Sequence, residues 1–149
     1  MDFSIKSAEN ISFTVDEAVL KRVQQNEFGN QKGLSVVSFY QEYTKNVLTI
    51  LTNIKYVALS RPQVYVVADG EFISTFTFES KNLLTSGVNQ DAIDALTKCT
   101  HLAQAQSYSV FNLLSTENEV PLAPIETTPV SSFIEGVQAF LKEHQIPAN

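Results

Sequence analysis

The chain has 149 residues, 44% of them hydrophobic and 17% charged, with a formal net charge of −6 and a pI near 4.8. That size and composition suit one globular domain able to bury a core without metal or disulfide support, and they exclude a disordered chain. The acidity argues against nucleic acid or an anionic membrane as partner: phosphate contacts need clustered cations, and the longest basic pair is Lys21-Arg22.

Residues 3–15 alternate, with Phe3 and Ile5 followed by Ile11, Phe13 and Val15, which predicts a half-buried strand broken near Ala8–Asn10. Residues 16–28 read as a helix capped by Asp16, with Val19, Leu20 and Val23 on one side. Gly29 and Gly33 bracket a predicted turn. Over 34–60 two signals disagree. Val36, Tyr40, Tyr43, Val47, Ile50 and Ile54 recur at helical steps, yet Thr44, Val47, Thr49, Ile50, Thr52, Ile54 and Val57 are β-branched. Two strands, roughly 34–43 and 47–59, are the reading taken, with a helix as its alternative.

Val64 to Val67 reads as a short strand, and Asp69-Gly70 as a hairpin turn. The return strand carries Phe72, Phe76 and Phe78 on one face and Ile73, Thr75 and Thr77 on the other. A long helix is predicted from Asn89 or Gln90 to about Leu114, with Ile93, Leu96, Cys99, Ala103, Val110 and Leu114 as its apolar stripe. Its small middle, Ala103-Gln104-Ala105-Gln106, suits close approach of another helix. Pro121, Pro124 and Pro129 make Glu117 to Pro129 an extended linker. A last helix, about Ser131 to His144, would bury Phe133, Val137, Phe140 and Leu141.

Residues that could carry chemistry do not cluster. The lone Cys99 excludes an intrachain disulfide. Cys99 and His101 fall on different sides of a helix, which disfavours a thiol pair, and no CxxC or HExxH occurs, so no metal is expected. The five glycines form no phosphate-binding loop, and no G-x-S-x-G elbow is present, so no cofactor is expected. Asp91 and Asp94 stand in the first helical turn, where they complement the helix dipole. No basic leader followed by an apolar run and no membrane span is visible, which makes the cytoplasm the expected location.

What remains is aromatic. Phe39, Tyr40, Tyr43, Tyr56, Tyr65, Phe72, Phe76 and Phe78 lie on candidate strands. One sheet with few helices cannot cover both of its faces, so these residues are the candidate polypeptide-binding or oligomer surface.

The order of elements and several short motifs resemble the SecB export-chaperone family. Phe3-Ser4-Ile5 and Ile11-Ser12-Phe13 are similar to the family's opening strand. Pro121-Leu122-Ala123-Pro124-Ile125, between a long helix and an amphipathic one, is similar to its linker. The two ends that carry this likeness make up about half the chain. The resemblance implies one SecB-like α+β domain over 1–149: a four-stranded antiparallel sheet with a long helix and a C-terminal helix packed on it, assembled as a dimer or tetramer. It implies a non-enzymatic chaperone that holds unfolded or export-bound polypeptides in apolar grooves. Members that dock the SecA motor carry acidic residues on either side of I-S-F. Here Asn10 and Thr14 are neutral, which disfavours that partner. The competing reading is a dedicated interaction factor, such as an inhibitor, immunity or phage protein, with one folded target.

Overall fold

The computed structural model describes residues 3–5, 9–44, 47–78 and 90–121. In chain order the elements are β1 (Phe3–Ile5), β2 (Glu9–Val15), α1 (Glu17–Gln24), β3 (Lys32–Thr44), β4 (Val47–Ser60), β5 (Gln63–Phe78) and α2 (Gln90–Glu117). All strand pairings are antiparallel, in the order β3-β4-β5. The outer side of β5 is shared by β1, which pairs with Phe76–Phe78, and β2, which pairs with Ala68–Ile73. The sheet is therefore four strands wide, and with its two helices it is an α+β arrangement. The predicted C-terminal helix lies outside the described residues.

The β-branched residues of 34–60 prevail over the helical spacing, because β4 forms the middle of the sheet and is paired on both sides along its length. Isolated helices rarely form from such sequences without a packed apolar stripe. The Asp69-Gly70 turn is not formed. β5 runs straight through it, with Asp69 opposite Lys55 and Gly70 opposite Ile54. The chain reverses instead at Arg61-Pro62, whose peptide bond is cis, between the paired Ser60 and Gln63. Gly70 has a packing reason. A Cβ there would stand 2.8 Å from the Phe72 ring and 3.0 Å from the Phe111 ring. Gly33 also lies in a strand, whereas Gly29 does sit in the turn after α1, with a φ of +54°.

Local chemistry sets the ends of α1. The Asp16 carboxylate accepts a hydrogen bond from the Val19 amide at 3.1 Å, satisfying one of the free donors at the helix start. Past Gln24 the chain turns through Asn26, whose φ is positive.

Both helices lie on one face of the sheet. Strict alternation along β4 points Leu48, Ile50, Thr52, Ile54, Tyr56 and Ala58 toward them, all buried. β5 adds Phe72, Phe76 and Phe78, and α2 adds Leu96, Cys99, Ala103 and Phe111. Among the described residues the small middle of α2 meets the sheet, where Ala103 is buried with Leu48 and Ile50. The core falls into two apolar clusters, one around Leu48, Phe76 and Leu96 and one around Tyr56, Phe72 and Phe111. Between them runs a polar strip. Ser38 and Thr52 hydroxyls are 3.0 Å apart, Gln104 Nε2 donates to Ser38 Oγ at 3.2 Å, and the Tyr40 and Thr100 hydroxyls meet at 2.7 Å.

Candidate functional site

The two faces of the sheet have different fates. Against the one packed by α1 and α2, the other carries no further layer among the described residues. Its side chains are the odd-numbered positions of β4, with their partners on β3 and β5. Phe39, Leu51 and Ile73 lie side by side across three strands, because Phe39 pairs with Leu51 and Leu51 with Ile73. Val37 stands beside Phe39. At the other end Val57 pairs with Val66 and Leu59 with Val64. The exposures are large for apolar side chains: 42% for Val37, 54% for Phe39, 61% for Val64 and 36% for Val66. A polar girdle separates the two patches. In it Asn53 Nδ2 donates to Asp69 Oδ1 at 2.7 Å, with Lys55 opposite Asp69.

The aromatics singled out from sequence do not form one surface. Tyr56, Phe72, Phe76 and Phe78 are core, buried under the helices. The reason is register: each sits on the helix side of its strand, where burial is nearly complete. Tyr40 is half-buried, with its hydroxyl bonded to Thr100, and burial pushes its pKa up. Tyr65 is half-buried over the end of the sheet. Its ring and that of Phe28 hold the Arg22 guanidinium, 4.9 and 4.8 Å from the two centroids. Hydrogen bonding to Glu27 raises the Arg22 pKa first, with a further contribution from Tyr65. The Tyr43 side chain lies outside those described. Phe39 alone of the seven described is an exposed aromatic.

Sequence reading missed Val37, Leu51, Ile73, Val64 and Val66 as members of the open face. The signal was alternation: Ile73 had already been set opposite Phe72, and the same rule places Phe39 opposite Tyr40.

Elsewhere the geometry offers little chemistry. Cys99 is buried, and desolvation pushes its thiol up to about 12, so it is protonated and inert at neutral pH. His101, two residues on, is exposed on the outer side of the helix. Among the described residues no three His, Cys, Asp or Glu side chains are placed to hold a metal ion. No helix among them is long and apolar enough to cross a membrane. Asp94 accepts a hydrogen bond from Gln90 in the first turn of α2, and both Asp91 and Asp94 are exposed. A cleft of about 670 Å³ opens between the end of α2 and the start of β3, lined by Val23, Gln24, Lys32, Glu119, Val120 and Pro121 among others.

Asn10 has a structural duty. β2 bulges between Asn10 and Ser12, and the Asn10 amide clamps the bulge by donating to the Ser12 carbonyl at 2.9 Å and the Glu71 carbonyl at 3.2 Å. A carboxylate at that position could not donate either bond.

No protein-family model and no curated protein matches the chain. Among solved structures, a protein of unknown function from Streptococcus agalactiae aligns over 85% of this chain and 98% of its own. It does so at 11% identity and a TM-score of 0.32.

Proposed function

We propose that this protein is a non-enzymatic holder of unfolded or partly folded polypeptides, as the SecB resemblance implies, and that it takes them on the open face of its sheet. The observation that carries this reading is the exposure of Val37 and Phe39 beside Leu51 and Ile73, on a face that no described element covers. Exposed apolar patches of this kind mark interaction sites, whereas a single exposed Leu or Val does not. Each apolar client side chain buried there would contribute on the order of 25 cal/mol per Å², with no sequence readout needed. Phe72, Phe76 and Phe111 fill the space between sheet and helices, which favours the open face over it in this reading.

Aggregation of a chemically denatured client, followed by light scattering with and without the protein, tests the proposal. Suppression at stoichiometric amounts, lost in the V37S/F39S double variant, is the expected result. If scattering is unchanged and a pull-down recovers one folded partner instead, the interaction-factor reading replaces this one.

A further inference from the structure

We infer that the core opens in two steps along a polar seam: residues 90–104, the N-terminal half of α2, leave the sheet as a unit while the rest of the core stays folded. The opening is a property of the fold and does not rest on the function proposed above.

The seam takes one hydroxyl-bearing residue from each central strand and from α2. On the helix side of β3, Ser38 stands between Val36 and Tyr40; on β4, Thr52 stands between Ile50 and Ile54; on β5, Ser74 stands between Phe72 and Phe76. Thr52 pairs with Ser38, and Ser74 lies diagonal to Thr52, opposite Ile50. On α2, Ser107 is one helical turn from Ala103 and one from Phe111. In every case the neighbour on one side packs with the cluster around Leu48, Phe76 and Leu96, and the neighbour on the other with the cluster around Tyr56, Phe72 and Phe111. The same break at the same place on each element makes a boundary across the whole core.

The boundary joins its two sides weakly. Thr52, Ser74 and Ser107 are fully buried. The Ser38 and Thr52 hydroxyls satisfy one another, but those of Ser74 and Ser107 have no hydrogen-bond partner among the described residues. A buried hydroxyl left unpaired disfavours the closed form, and water satisfies it on opening. The polar ties that hold residues 90–104 at the seam, Thr100 to Tyr40 and Gln104 to Ser38, are single hydrogen bonds that water can replace.

The two sides are also unequally held. To the first cluster α2 gives Ala92, Ala95, Leu96, Cys99 and Ala103, mostly small side chains, with Ile93 and Leu102 half-buried at its margin. In the second cluster the Phe111 ring stands edge-on to Phe13 and Phe72, and α1 adds Val19, Leu20 and Val23. The N-terminal half of α2 is therefore the half that opens. Once off the sheet, a helical segment of that length is marginal in water, so it unwinds. Opening bares Leu48, Ile50, Phe76 and Phe78 on an otherwise intact sheet.

Hydrogen exchange of the full chain at low denaturant, resolved by residue, reads the two halves of α2 separately. Amides of residues 96–104 are expected to exchange at least about tenfold faster than those of 108–114, with a shallower dependence on denaturant because less surface is exposed. Substitutions then distinguish two units from one. Leu20→Ala weakens only the second cluster, so it speeds residues 108–114 at least about tenfold and residues 96–104 by less, which narrows the gap. Leu96→Ala weakens the first cluster, whose contacts are lost in both openings, so it speeds both halves by the same factor and keeps the gap. Val19→Ala, a smaller truncation in the same cluster, replaces Leu20→Ala if that variant does not fold. Buried Cys99 supplies a second readout, since its rate of maleimide labelling must follow residues 96–104 in each variant. The inference is overturned if both halves share one rate and one slope, if residues 108–114 open first, or if the substitution in α1 speeds both halves by the same factor.

Discussion

The two faces of one sheet are built from alternate residues of the same strands, yet they differ as a core differs from a surface. On the helix side β4 presents Leu48, Ile50, Ile54 and Tyr56, none more than 1% exposed. One residue along each time, Leu51, Asn53, Lys55 and Val57 face outward and are only half-buried. Stability resides in the first set. The second set is free to be selected for what it touches. A strand of alternating residues can thus serve packing and recognition without compromise between them, provided that register is held.

Substitutions that hit the two faces in turn should separate those roles. Phe72→Ala removes a fully buried ring from under Phe111 and should cost about 3–5 kcal/mol in chemical denaturation. Such a loss is a large part of a domain's whole stability. Gly70→Ala forces a methyl group against Phe72 and Phe111 on the same face and should cost about 1–3 kcal/mol. Adding Phe111→Leu should recover part of that loss, and a double-mutant cycle showing no coupling would separate Gly70 from the ring.

A gentler effect follows from the buried thiol. The Cys99 pKa lies near 12 in the folded protein against an ordinary 9.0, because burial disfavours the thiolate. The group therefore contributes stability that is complete below pH 9 and is lost as pH rises toward 12. Tyr40 and Tyr56, whose pKa values burial also raises, act in the same direction. Denaturation midpoints should fall over that alkaline range, less steeply in Cys99→Val. Smallest of all is Phe39→Ser on the open face. Its unfolding free energy should stay within about 0.5 kcal/mol of the parent. A loss like that of Phe72→Ala would mean that Phe39 is core after all.

Much of this arrangement was legible in the chain. Asp16 reads as a cap and is one. Phe72, Phe76 and Phe78 read as one face and are. The β-branched run of 47–59 reads as a strand and is β4, almost to the residue. Two things were not legible. Asp69-Gly70 carries the composition of a turn, but the glycine admits the ring of Phe72, two residues along the same strand, and that of Phe111 from the distant α2, and the second is a tertiary demand with no local mark. Alternation also divides residues into two sets without saying which set the helices will cover. Phe39 and Tyr40 look equally suitable for burial, and only the register across β3, β4 and β5 shows that Phe39 joins Leu51 and Ile73 in the open.

The bulges in the outer strands have a consequence for behaviour at high concentration. β2 is interrupted between Asn10 and Ser12, leaving Ile11 turned out, and β3 between Tyr40 and Glu42. A sheet with an apolar face and long rims is a template on which further chains could stack into fibrils. A break in the ladder along each rim shortens the run that an incoming strand can match, on β3 to Lys32–Tyr40. Such breaks are among the devices by which sheets discourage edge-to-edge pairing.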